Sequence, residues 1–186
     1  INPTLPALQM AERFDLIAYH VAVDGLSLIF ILLTALLTFL MTLYGMSRGM
    51  ISPGRLFAVL LVAEAGLVGM LMTVNLVWFC AFSALELWAV FHLLRRWASS
   101  RAEIQALARF IQYQAFGWAL FAGGCVVLGW AYADAHAGYW SFDLFELVGA
   151  VPEGKFQTAA FYLLFYGLAV RTPLFPLHGW LPNMTQ

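Results

Sequence analysis

Five long apolar stretches follow one another along the chain, and each is long enough to cross a lipid bilayer as a helix. The hydrocarbon core of a bilayer is about 30 Å thick, so a spanning α-helix needs about 20 apolar residues. Hydrophobic residues make up 63% of the sequence and charged residues only 10%, a balance typical of membrane proteins. We therefore predict an all-α, polytopic membrane protein with a single membrane domain over residues 1–186 and helices at about 25–46, 56–74, 76–94, 106–132 and 156–182.

The last apolar stretch is too long to be one simple span. A helix over residues 156–182 would be about 40 Å long at ~1.5 Å per residue. Pro173 and Pro176 lack the N–H that closes the helical ladder, and they follow directly on Arg171. We expect the helix to break just after Arg171, with the freed backbone groups facing a polar cavity.

The basic residues predict the orientation in the membrane. Membrane proteins carry an excess of lysine and arginine in their cytoplasmic loops. Two loops on one side hold Arg48, Arg55, Arg95, Arg96 and Arg101. The other side holds Lys155 against Asp24, Asp134, Asp143, Glu146 and Glu153. The arginine-rich side is therefore predicted to be cytoplasmic.

Composition and motifs argue against several classes of function. The net charge of −1 gives no basic field for nucleic acid, and no phosphate-binding loop, glycine fingerprint or paired metal-ligand spacing is present. Cys80 and Cys125 each stand alone in an apolar stretch, which favours inert buried thiols over a disulfide or a ligand pair. We expect no catalytic residue, metal site or cofactor site in this chain. It opens without a signal peptide and stops without a polar tail, so we expect a segment of a longer protein.

Three ionisable residues lie deep inside the predicted helices, where a charge costs at least a few kcal/mol. Glu64 and Glu86 each lie eleven residues from the turn at Asn75, so an antiparallel hairpin places both about 16 Å from that turn. Arg171 lies fifteen residues from Phe156, about 22 Å from the same side of the membrane. The two carboxylates and the guanidinium are expected near one central layer. They form either a proton relay, which we favour, or a static ion pair.

Three further residues are candidates for the same relay. His92 shares a helix face with Arg95 and Arg96 near the cytoplasmic end, which favours an interfacial role. His178 lies at the broken segment, where water and free backbone groups are expected. Arg109 is equally compatible with an anchor at the membrane surface and with a relay role.

Four segments resemble the antiporter-like subunits of respiratory complex I, most closely the subunit M type, called subunit 4 in mitochondria. These are HVAVDGLSL at 20–28, NLVWFCAFSALELW at 75–88, RFIQYQ at 109–114 and AVRTPLFPLHGWLP at 169–182. The resemblance covers most of this chain and about the third to seventh helices of a fourteen-helix fold.

The resemblance implies a proton-translocating subunit in the membrane arm of an NADH:quinone oxidoreductase, an enzyme only as part of that assembly. Glu86 matches the family glutamate of the fifth helix, Arg171 the lysine of the broken seventh helix, and His178 the family histidine. Arg109 stands where a lysine often lies. NADH, flavin, iron–sulfur clusters and quinone are expected in partner subunits and not in this chain. The expected partners are other membrane-arm subunits and the lipid bilayer. The expected location is the bacterial inner membrane.

The departures from the family pattern keep other functions open. Two family lysines are arginines here, a proline after the glutamate is absent, and LPNMTQ replaces the usual ending. Arginine is effectively always protonated, so Arg171 cannot release a proton during turnover. It would act as a fixed electrostatic gate, or this part of the membrane arm would be altered or would not conduct protons. The alternatives are an Mrp-type cation/proton antiporter subunit, the membrane arm of a related carbon dioxide-hydrating or hydrogenase complex, and a purely structural subunit.

Overall fold

Helices make up most of the part of the chain that the computed structural model describes, which comprises residues 11, 12, 19–47, 53–98, 100–149, 155–172, 174, 175, 177 and 179. Two short strands, β1 (Ala11–Glu12) and β2 (Tyr19–His20), pair antiparallel ahead of the first helix. The helices are α1 (Gly25–Ser47), α2 (Pro53–Met72), α3 (Leu76–Trp97), α4 (Arg101–Ala135), α5 (Leu144–Gly149) and α6 (Lys155–Arg171).

Four of these helices are long and apolar enough to cross a membrane, and their candidate spans are Gly25–Ser47, Gly54–Met72, Leu76–Arg96 and Arg101–Ala135. Helix α6 has 17 residues and packs along α4 as the fifth long helix. The predicted all-α, polytopic membrane fold is confirmed. The short α5 lies in the polar stretch between α4 and α6.

Local capping explains where α1 and α3 begin. The backbone N–H of Ser27 donates to the Asp24 carboxylate at 2.6 Å, and this hydrogen bond lowers the pKa of Asp24. The Asn75 side chain accepts from the backbone N–H of Val77 at 2.9 Å and so caps α3. Both caps agree with the helix starts expected from the sequence.

The last two long helices differ most from their predicted bounds. Helix α4 has 35 residues: a capping box between Ser100 and Glu103 starts it five residues earlier than predicted, and it ends three residues later, at Ala135. At about 52 Å it is longer than the hydrocarbon core is thick. Helix α6 ends at Arg171, where the sequence predicts the break, and does not continue to residue 182. The N–H groups of Thr172 and Leu174 donate to carbonyls of its last turn, and Pro173 and Pro176 lie outside the described residues.

Close contacts between helices occur at glycines. A Cβ at Gly66 of α2 would lie 3.0 Å from the backbone nitrogen of Glu86 in α3. A Cβ at Gly167 of α6 would lie 2.6 Å from the backbone nitrogen of Phe121 in α4. The α2–α3 and α4–α6 pairs therefore touch backbone to backbone, and α6 is held directly against α4.

Three distant segments join at the end of the bundle that carries the α2–α3 turn. The N–H of Val74 donates to the carbonyl of His20, and the N–H of Leu144 donates to the carbonyl of Val74. His20 Nδ1 lies 2.6 Å from a carboxylate oxygen of Asp143, whose other oxygen accepts from the N–H of Phe145. We refer to the His20–Asp143 pair and these backbone bonds as the end clasp.

Replacing Asp143 with asparagine should weaken the end clasp. The change removes the charge from a partly buried hydrogen bond that joins residues 123 positions apart. We expect the free energy of unfolding to fall by about 1–2 kcal/mol, measured by thermal unfolding in detergent. Asp134→Asn is the matched control because Asp134 is exposed at the end of α4. Equal unfolding temperatures for the two variants would contradict a stabilising role for the clasp.

Candidate functional site

The carboxylate of Glu86 and the guanidinium of Arg171 meet inside the helix bundle. Arg171 Nη2 lies 3.6 Å from Glu86 Oε2, and the two side chains are only 15% and 20% exposed. Arg171 is the last residue of α6, and Glu86 lies near the middle of α3. The structure thus brings together the two residues predicted to form the central charge pair.

A serine holds the other end of the guanidinium. Arg171 Nη1 donates a hydrogen bond to Ser83 Oγ, and Ser83 is completely buried. Ser83 precedes Glu86 by three residues, so the two side chains lie on the same face of α3. The guanidinium therefore spans one turn of α3, with Ser83 at one nitrogen and Glu86 at the other. The 3.6 Å separation from Glu86 is longer than a hydrogen bond.

Helix α4 fixes the backbone of the arginine. The buried side chain of Gln114 donates from Nε2 to the carbonyl of Arg171 at 3.5 Å. A Cβ at Gly117 would lie 3.0 Å from Cγ of Arg171, so the arginine stem lies directly on α4. Ser83 and Gln114 were missed by the sequence reasoning. The S-x-x-E spacing on α3 was a readable signal for Ser83, whereas Gln114 required the α4–α6 packing.

The second intramembrane carboxylate does not join this pair. Because Gly66 lies opposite Glu86, Glu64 is only about 3 Å away in depth, close to the predicted level. However, Gly66 and Gly69 mark the α2 face that meets α3, and Glu64 lies on a different face of α2. Among the residues that the structure describes, none forms an ion pair or hydrogen bond with the Glu64 carboxylate. The expected cluster of three charges is thus a pair with a separate carboxylate.

The two other candidates that the structure describes, His92 and Arg109, lie apart from the charge pair. His92 is exposed, and its Nδ1 lies 3.0 Å from the carbonyl of Trp88 in its own helix. Arg109 is exposed on α4. His178 lies outside the described residues. Of the five predicted relay residues that lie in the described part of the chain, only Glu86 and Arg171 are joined.

The helical bundle and its charge pair define the class of protein. It is a multi-pass membrane protein with a carboxylate and a guanidinium paired inside the bundle, at the point where α6 ends. Residues 73–186 match the family described as NADH:quinone oxidoreductase/Mrp antiporter, transmembrane. The chain belongs to this family, and the resemblance predicted from its motifs is confirmed.

Relatives of known name are similar along nearly the whole chain. NAD(P)H-quinone oxidoreductase chain 4 of Gloeobacter violaceus is 34% identical, with 96% of this chain and 34% of the relative covered. NADH-quinone oxidoreductase subunit M of Rickettsia conorii is 30% identical over 96% of this chain and 36% of the relative. F(420)H(2) dehydrogenase subunit M of Methanosarcina mazei is 27% identical over 89% and 34%. The chain spans about a third of the length of these relatives.

Solved structures share the fold. A chain of the membrane-bound sulfane sulfur reductase, an archaeal respiratory membrane complex, superimposes with a TM-score of 0.79 at 19% identity, covering 96% of this chain and 36% of that chain. A chain of respiratory complex I from Thermus thermophilus with bound NADH gives a TM-score of 0.76 at 24% identity, covering 92% and 34%. Both are respiratory membrane complexes that use the same helical arrangement.

Proposed function

We propose that this chain is part of a subunit that carries protons across a membrane within a respiratory complex related to NADH:quinone oxidoreductase. In this proposal Glu86 binds and releases the proton, and Arg171 is a fixed positive charge beside it. The observation that carries the proposal is the buried Glu86–Arg171 pair at the end of α6. The names of the relatives, which are subunits of quinone-linked and F(420)H(2)-linked complexes, support it.

The arrangement of Arg171, Ser83 and Glu86 is better suited to reversible protonation of Glu86 than to a permanent ion pair. A guanidinium that served only to hold Glu86 would be expected to make two parallel hydrogen bonds with it. Here one nitrogen is bound by Ser83, and the other stands 3.6 Å from the carboxylate. Protonation of Glu86 therefore removes the negative charge without breaking a hydrogen bond. Ser83 holds the guanidinium in place whether Glu86 is protonated or ionised.

The C-terminus of α6 also stabilises the positive charge of Arg171. Arg171 lies at the C-terminus of α6, where the helix dipole places partial negative charge that stabilises a cation. The carbonyls of the last turn have protein partners, because Thr172 and Leu174 donate from their N–H groups and Gln114 donates to Arg171. We infer that water reaches Glu86 at this end of α6, because the Glu86 side chain keeps 20% of its surface exposed.

The redox chemistry belongs to partner subunits in this proposal. NADH, flavin, iron–sulfur clusters and quinone would be held there, and the present chain would contact other membrane-arm subunits and lipid. The helix ends that carry Arg55, Arg95, Arg96 and Arg101 would face the cytoplasm of a bacterial cell, because arginine accumulates on that side of a membrane.

Transport by the intact assembly tests the proposal. The complex would be purified with its native partners and reconstituted in lipid vesicles, and internal acidification would be followed while quinone is reduced. We expect proton uptake that depends on quinone reduction and is the same in sodium and potassium buffers. Proton movement that requires sodium, without any need for an electron donor, would instead indicate an Mrp-type antiporter.

Removing the hydroxyl of Ser83 should impair transport without removing either charge. In Ser83→Ala the guanidinium loses its acceptor and is free to move onto Glu86, which favours the ionised carboxylate. We expect coupled proton transport to fall about tenfold, the equivalent of one hydrogen bond to a charged group, measured across a range of pH. Thr172→Val is the control, because the Thr172 hydroxyl donates to the carbonyl of Leu168 in the last turn of α6 and not to the charge pair. Equal activity in both variants would contradict the positioning role of Ser83.

A further inference from the structure

A cavity with apolar walls lies between α3 and α4. Its volume is about 250 Å³, and its walls include Ala84, Trp88 and Phe91 of α3 and Ile111, Ala115 and Trp118 of α4. An apolar cavity of about 150 Å³ stays free of water and binds benzene, so this one has room for a longer hydrocarbon group. Trp118 Nε1 donates to the carbonyl of Cys80 at 3.0 Å, so the polar atom of this indole is already paired. A hydrocarbon group therefore suits the cavity better than a polar ligand.

The cavity is elongated along the two helices. On α3 its wall runs from Phe91 to Ala84, which is about 10 Å at ~1.5 Å per residue. On α4 the wall runs over the same length, from Ile111 to Trp118. Both helices are long and apolar enough to cross a membrane, so the long axis of the cavity is parallel to the acyl chains of the lipids. This shape fits a segment of an extended acyl chain.

A cation lies at one end of the cavity. The guanidinium carbon of Arg95 lies 5.7 Å from the centre of the Phe91 ring, which is part of the wall, and the Arg95 side chain is exposed. The ends of α2, α3 and α4 on this side of the bundle carry Arg55, Arg95, Arg96 and Arg101. Glu103 is the one acidic residue that the structure describes at the same end. Because arginine binds phosphate through several N–H donors, this end is complementary to an anionic lipid headgroup.

We propose that the cavity between α3 and α4, with Arg95 at its end, is a binding site for an anionic phospholipid. One acyl chain lies between the two helices, and the phosphate accepts hydrogen bonds from the guanidinium of Arg95. Phe91 precedes Arg95 by one helical turn, about 6 Å, so one lipid molecule can make both contacts. The site does not depend on proton transport by Glu86 and Arg171.

Photo-crosslinking in the intact complex tests the site. The probes are phosphatidylglycerol and phosphatidylcholine with the same diazirine-labelled acyl chain, each added as a minor component to vesicles of unlabelled phosphatidylcholine. Light releases nitrogen from the diazirine, and the resulting carbene inserts into a nearby C–H bond. We expect the phosphatidylglycerol probe to label segments 84–91 and 111–118 about tenfold more than the phosphatidylcholine probe, the equivalent of one hydrogen bond to a charged group. Peptide mass spectrometry measures the label.

Two pairs of variants separate the headgroup contact from the acyl-chain contact. Arg95→Gln should remove the preference for phosphatidylglycerol, whereas Arg55→Gln should retain it, because Arg55 lies at the same end on a helix that does not line the cavity. Ala115→Leu should fill the cavity and abolish the labelling of both segments. Ala119→Leu, one turn further along α4 and outside the cavity, should leave the labelling unchanged.

The proposal fails if neither segment is labelled by either probe in the intact complex, because another helix would then cover the cavity. It also fails if both probes label wild type equally, because that result indicates ordinary contact with bulk lipid. Equal effects of Arg95→Gln and Arg55→Gln would contradict the headgroup contact. Arg95→Gln changes an exposed side chain, so it tests the site even if Ala115→Leu does not assemble.

Discussion

Replacing Glu86 with glutamine is expected to reduce coupled proton transport by about 100-fold, the lower end of what a positioned proton-transfer group contributes. Glutamine keeps the size and shape of the side chain but cannot bind a proton at physiological pH. It also leaves Arg171 without a negative partner, although Ser83 and the end of α6 still hold the guanidinium. The measurement is the initial rate of acidification in vesicles that contain the complete complex.

Two control variants show whether a loss of transport is specific to the carboxyl group of Glu86. Asp134→Asn removes a carboxylate that is exposed at the end of α4, and transport should be unchanged. Arg171→Lys keeps a cation beside Glu86, so it should retain more activity than Glu86→Gln, with a changed pH profile because lysine can lose its proton. Transport in Glu86→Gln equal to wild type would show that the pair is structural.

Replacing Gly167 with alanine is expected to force α6 away from α4. The added Cβ would lie 2.6 Å from the backbone nitrogen and 2.9 Å from Cα of Phe121, and backbone atoms cannot move aside as a flexible side chain can. We expect the free energy of unfolding to fall by about 1–3 kcal/mol. Because Arg171 lies one turn further along α6, its distance from Glu86 should change and coupled transport should fall as well.

Gly123→Ala is the matched control for this substitution. Gly123 also lies within a membrane helix, α4, but a Cβ there would meet nothing within 4 Å. Alanine favours a helix over glycine by up to about 1 kcal/mol, so Gly123→Ala should be neutral or slightly stabilising. An unfolding temperature of Gly167→Ala at or above that of wild type would contradict the close α4–α6 contact.

The features that the sequence predicted well are local ones. Apolar length placed α1 and α3 to within a few residues, because it is a property of each segment on its own. The end of α6 followed from the prolines after Arg171. The early start of α4 was also readable, since Ser100 and Glu103 have the spacing of a capping box.

The features that were missed depend on which helix faces meet. Counting residues from the helix ends correctly placed Glu86 and Arg171 at a similar depth in the membrane. It also placed Glu64 with them, because the distance along a helix does not determine which face a side chain lies on. The roles of Ser83 and Gln114 and the His20–Asp143 contact join residues 57 to 123 positions apart. Such contacts are set by helix packing, which local sequence patterns do not specify.

The most direct test of the central claim is infrared difference spectroscopy of the complex during turnover. The account predicts a carboxylic acid band that appears and disappears with quinone reduction in wild type, is absent in Glu86→Gln and remains in Asp134→Asn. A band that persists unchanged in Glu86→Gln, or proton transport in wild type without any such band, would contradict the assignment of Glu86 as the group that binds and releases the proton.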